Sequence, residues 1–146
     1  MRGHSLKTTS ASVLGVDTNV LVRFLADDDP VQTPQAIGLL TRPGNQPIHI
    51  AQVVMVEAFW VLTKVKKFPA RDVIISFRRL LLSDHFIIEE SAVMIQALDD
   101  AETAGCDLAD ALIAIVNARA GCEATATFDI RAGHRLKDMV VVEERL

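Results

Sequence analysis

VLGVDTNVLVRF, Val13–Phe24, decides how the chain is read. An apolar run, VLGV, stops at Asp17, and after Thr18 the apolar spacing changes to that of a helix from about Asn19 to Ala26. A strand that gives way to a helix at a polar residue is the opening unit of a parallel α/β sheet. Such sheets collect ligands outside the carboxyl ends of their strands, which is where Asp17 falls. A carboxylate flanked so closely by apolar residues is costly to bury without a partner, so Asp17 needs a reason to be there.

The same alternation continues along the chain. A second helix opens at Thr33-Pro34 and runs to about Arg42, RPGNQP forms a loop, and IHI (Ile48–Ile50) is a second strand. AQVVMVEAFWVLTKVKK is expected to be a mostly buried helix, apolar nearly all round. After Pro69, ARDVIISFRRLLLSD is amphipathic, with Arg71, Asp72, Arg78 and Arg79 on its wet side. FIIEE is the third strand, followed by a helix ending at Gly105 and another, DLADALIAIVNARAG, ending at Gly121. EATATF closes on Asp129 as the fourth strand, and VVVEE is the fifth. The fold class is therefore α/β, a mainly parallel five-stranded sheet flanked by helices, with one domain over residues 13–146. Residues 1–12 (MRGHSLKTTSAS) are read as a flexible tail or an expression remnant.

Composition bounds the function. The chain has 146 residues, half of them hydrophobic and 23% charged, which suits a folded core. A net charge of −4 argues against a generally basic nucleic-acid surface, although the rest of the chain is neutral once four clustered acids are set aside. No apolar run of about 18 residues exists, so no transmembrane helix is expected. Cys106 and Cys122 bracket a helix that would hold them roughly 20 Å or more apart, beyond disulfide reach. Reduced thiols point to a cytoplasmic protein.

Four acids stand out by placement. Asp17 and Asp129 each end a strand; Asp129 alone reads equally well as a turn or cap residue. Glu57 interrupts the apolar run VVMVEAFWVL, with no Lys or Arg within one helical turn. It could sit on the one wet face of that helix; buried, it would need a cation or would have to keep its proton. In DLAD, Asp107 suits a helix N-cap and Asp110 the first turn, where the helix dipole favours an anion. An oxygen-rich pocket collecting these acids would suit Mg²⁺ or Mn²⁺ and the hydrolysis of a phosphodiester. GxGxxG and P-loop motifs are absent, and no Ser, Cys or His constellation supplies a rival nucleophile.

DTNVLVRFL, VVMVEAFWVL, DLADALIA and TATFD, in this order and spacing, resemble PIN-domain ribonucleases, in particular the VapC-type toxins of bacterial type II toxin–antitoxin pairs. The resemblance covers the chain from about Val13 onward. It implies a PIN-like three-layer domain and a Mg²⁺ (or Mn²⁺)-dependent endoribonuclease that hydrolyses RNA with a metal-activated water. Asp17, Glu57, Asp110 and Asp129 match the family's catalytic acids. Asp17, Asp110 and Asp129 would hold metal, with Glu57 and Asp107 as further candidates. Thr18 and Asn19 match a polar pair that would orient the carboxylates. Ala51 stands where the family often has Ser or Thr before the glutamate helix. Arg23, Arg131, His134, Arg135 and Lys137 are candidate RNA-binding residues, the alternative being a solvated basic surface. A VapB-like antitoxin and a homodimer are further implications.

Two other readings remain open. An aspartyl-phosphate phosphatase would use Asp17 as nucleophile, but it needs an acid where Asn19 stands. A catalytically idle PIN-like module would serve only to bind a protein partner.

Overall fold

A computed structural model describes residue 12 and residues 14–145. The reading of residues 1–12 as a tail falls, Ser12 apart, outside the described residues. Five strands are seen: β1 (Leu14–Gly15), β2 (Ile48–Ile50), β3 (Phe86–Ile88), β4 (Thr125–Thr127) and β5 (Met139–Val141). Every strand pair is parallel, as expected for strands joined through helices. One expectation needs correction. Among the described residues the strands form two sheets, β1-β2-β3 and β4-β5, rather than one sheet of five. The strands are only two or three residues long, too short to carry a continuous ladder across the domain.

Helices occupy the intervals. They are α1 (Thr18–Ala26), α2 (Gln32–Thr41), α3 (Gln52–Trp60), α4 (Ala70–Leu82), α5 (Ser91–Ala104) and α6 (Leu108–Arg119). Two short ones follow, α7 (Ile130–Arg135) and α8 (Val142–Arg145). The core gathers side chains from both sheets and most of the helices. In α4, Val73, Ile74, Phe77 and Leu80 are buried at helical spacing, and Phe77 meets Phe59 of α3 edge-on with ring centroids 5.9 Å apart. Helix α5 buries Val93, Met94, Ala97, Leu98, Ala101 and Ala104 and stops at Gly105, whose φ of 66° only glycine adopts without strain.

Helix α3 departs from expectation. It is apolar nearly all round but not mostly buried: Val53 (63% exposed), Glu57 and Trp60 form an open face, while Val54, Met55, Ala58 and Phe59 face the core. The helix gives way at Val61–Val65 to a wider π-type turn. Ala51 offers no capping side chain, and the Gln52 amide instead donates to Glu89 Oε1 at 2.8 Å. A carboxylate that follows β3 thus replaces the missing local cap.

The acidic turn after α1 is also built by side chains. The Val31 and Gln32 amides donate to Asp29 Oδ1 at 2.9 and 2.6 Å, opening α2. Thr33 is buried, but its hydroxyl donates to the Arg23 carbonyl at 3.0 Å and accepts from the Asp29 amide, so the buried hydroxyl is satisfied.

Helix α7 went unread in the sequence, where its residues look like a basic run. It lies so close to β4 and β5 that a Cβ added at Gly133 would sit 3.1 Å from the Val141 amide nitrogen and 3.3 Å from a Thr127 methyl. In a free helix Gly→Ala gains up to about 1 kcal/mol. Here the sign reverses: Gly133→Ala is expected to destabilise by about 1–3 kcal/mol through overpacking, read as a lower midpoint in urea. An unchanged or raised midpoint would contradict this packing.

Candidate metal and nucleic-acid site

The sequence-selected acids fall on two neighbouring cavities. Asp107, Asp110 and Asp129 line one of about 410 Å³, with Lys64, Arg71 and Arg131 around them. Asp17 and Glu57 line a second of about 620 Å³, with Thr18, Asn19 and Trp60. Both reach α6, where Ala109 lines the second cavity and its neighbour Asp110 the first.

Capping divides the aspartates only partly as the sequence suggests: Asp129 is a cap, as one of its readings had it, but Asp17 is the other in place of Asp107. Asp17 is exposed, so no desolvation cost arises, and its Oδ1 accepts from the Val20 amide at 3.1 Å as the N-cap of α1. Asp129 does the same for α7, accepting from the Ala132 amide at 2.9 Å. Asp107, the expected cap, holds the N-cap position of α6 without a side-chain cap bond. It pairs with Lys64 at 3.6 Å instead. Asp17 and Asp129 each use one oxygen as a cap and keep the other.

Of the two readings of Glu57, the wet-face one holds. The residue is exposed, so burial does not demand a cation there. The Thr18 hydroxyl donates to its Oε1 at 2.6 Å, tying the first residue of α1 to the middle of α3 and fixing the carboxylate's direction.

Asp110 is half-buried, and its pKa is raised by desolvation first and then by the charges of Asp107 and Asp129, with Lys64 opposing. Three carboxylates thus share one cavity, and of its cations Lys64 is the one that offsets them at Asp110. In donor type they fit a hard divalent cation, whose charge would relieve that repulsion. Their spacing is not that of a closed coordination sphere: among the described residues no group of three or more His, Cys, Asp or Glu is placed to hold a metal ion.

The basic residues sort clearly. Of the five read from sequence, only Arg131 lines the acidic cavity, and its Nη1 also donates to the Gly105 carbonyl at 3.3 Å. Arg23 lies beside Asp17 and Asn19 but is held by Gln32 at 2.6 Å and by Asp28 and Asp29 at 3.9 Å. His134 pairs with Glu144 at 2.8 Å. Arg135 and Lys137 line a separate cavity against α5 and α6, and Arg135 donates to the Ala104 carbonyl at 3.2 Å. Lys64 and Arg71 were missed as rim residues. Lys64 lies seven positions beyond Glu57, and the signal would have been its helical register toward the DLAD segment.

The PIN domain family model matches residues 15–137, a span that includes all five acids. No curated protein matches the chain. Among the described residues no helix is long and apolar enough to cross a membrane.

Proposed function

Because this chain belongs to the PIN-domain family, we propose that it is a Mg²⁺- or Mn²⁺-dependent endoribonuclease and the toxin of a VapC-type toxin–antitoxin pair. The family accounts for nuclease activity in general. The observation that carries the finer reading is the convergence of Asp107, Asp110 and Asp129 on one cavity rimmed by Lys64, Arg71 and Arg131.

Asp110 and Asp129 would hold the cation together with waters, and Asp17 through its uncapped oxygen, with Asp107 and Glu57, would act through those waters. When bound, the cation supplies Lewis-acid stabilisation of the phosphodiester and lowers the pKa of water. Glu57, aimed by Thr18, orients the attacking water or serves as a ligand. Lys64, Arg71 and Arg131 draw the phosphate toward a site whose own charge would repel it. In-line attack would leave 5′-phosphate and 3′-hydroxyl ends. A VapB-like antitoxin and a homodimer complete the proposal, supported by exposed apolar side chains at Ile113, Val116, Phe128 and Ile130.

The alternative, a catalytically idle binding module, draws on the caps made by Asp17 and Asp129. Mapping RNA ends in cells after induction decides between them. New 5′-phosphate ends, with growth arrest relieved by co-expression of a small neighbouring gene, are the expected outcome. Growth arrest without new ends would favour the idle module.

A further inference from the structure

We propose that Trp60 is a stacking platform for one unpaired nucleobase of the RNA, set beside Asp17 and Glu57. The inference rests on the nuclease reading and adds to it a substrate contact that fixes where the strand enters.

Trp60 is the chain's sole tryptophan, and the chain has no tyrosine. A side chain with that much apolar area is worth most when buried, yet Trp60 is 53% exposed. It is not loosely placed. Its neighbour Phe59 is buried and packs against Phe77, so the helix carrying the indole is anchored from the core side. Trp60 follows Glu57 by three positions on the same open face of α3, and both line the 620 Å³ cavity. Val56 and Ala109 supply apolar wall, and the exposed Asn19 carboxamide supplies a donor and an acceptor at the edge.

A flat ring with a polar edge suits this mixture, since an indole face stacks on any base and a carboxamide reads a base edge. Position supports the same occupant. Ala109 borders this cavity, while Asp110 borders the cavity with Asp107 and Asp129. Lys64, one turn beyond Trp60, lines the cavity of the three aspartates and pairs there with Asp107. A base stacked on Trp60 therefore leaves its adjoining phosphate in the cavity that Asp17 and Glu57 line.

The test uses the full chain and its own fluorophore. The probe is a hexaadenylate with uncharged methylphosphonate linkages, which removes both cleavage and phosphate repulsion. The control is an abasic hexamer with the same backbone. The adenylate is expected to quench Trp60 fluorescence saturably, and the abasic hexamer not to. In cleavage of single-stranded RNA, Trp60→Leu is expected to raise KM roughly tenfold with kcat little changed, the scale of one base stack, and Trp60→Phe to restore most of the loss. Base-dependent quenching without cleavage would uphold the platform and sink the nuclease reading. Cleavage by wild type with no quenching and an unaltered KM in Trp60→Leu would overturn the platform alone. A blue-shifted emission that moves red on dilution, with a dimer lost in Trp60→Leu, would show a second copy covering Trp60 and also overturn it.

Discussion

Asp110→Asn is expected to abolish RNA cleavage while leaving the protein as stable as wild type or more so at pH 7. The two effects share one cause. Asp110 is held at the half-buried start of α6 with Asp107 and Asp129 nearby, and its pKa is raised by desolvation and by those two charges. A raised carboxyl pKa favours the folded state while the group is protonated. That contribution is fully present below the unfolded pKa and is lost as pH rises through the folded one. At pH 7 the ionised carboxylate is thus a burden that the neutral amide removes. The stability difference should shrink toward zero in acid, where wild type protonates too. Cleavage should fall by about 10³-fold or more, the scale of a lost electrostatic contact to a transition state. Parallel purification of both proteins excludes contaminating nucleases. A variant that unfolds at lower temperature, or cleaves like wild type, would contradict this assignment.

Cys106 gives the second large effect. Its thiol pKa is pushed up to about 11, by burial first and then by Asp110, Asp107, Asp129 and Asp100. Only the thiolate attacks iodoacetamide, so alkylation at pH 8 is expected to be roughly a hundredfold slower than for a thiol of ordinary acidity. Shielding by the fold alone would slow the reaction equally at all pH. The raised pKa, from burial and the carboxylates together, instead predicts a rate that climbs through about pH 11. Added Mg²⁺ should speed alkylation, because a cation among those carboxylates offsets the charge that raises the pKa. Peptide mapping separates Cys106 from the exposed Cys122. A rate midpoint near 9, with no response to Mg²⁺, would count against the electrostatics of this cavity.

Periodicity and punctuation made most elements legible. Gly105 and the Gly121 region mark helix ends where expected, and IHI and TAT are strands. Strand length and pairing were not legible, because an apolar run does not reveal how few of its residues join a ladder. The carboxylates were legible as a set and misread one by one. Glu57 looks buried in a one-dimensional apolar run, but α3 keeps an open face along Val53, Glu57 and Trp60. Asp107 has the sequence of a cap, yet Lys64 across the cavity claims its carboxylate, while Asp17 and Asp129 cap α1 and α7. Local spacing cannot rank a cap against a distant ion pair, since the partner comes from another element. The placement of the basic run after Asp129 was not legible for the same reason: α7 turns Arg135 onto the end of α5 and leaves Arg131 at the acids.

The central claim is that the carboxylates of Asp107, Asp110 and Asp129 bind a divalent cation. Titration with Mn²⁺, followed by the electron paramagnetic resonance signal of the free ion, tests it without RNA and without turnover. Wild type should remove Mn²⁺ from solution saturably and release it to Mg²⁺, and Asp110→Asn and Asp129→Asn should each weaken that uptake. Uptake that is absent at millimolar Mn²⁺, or unchanged in both variants, would contradict the account.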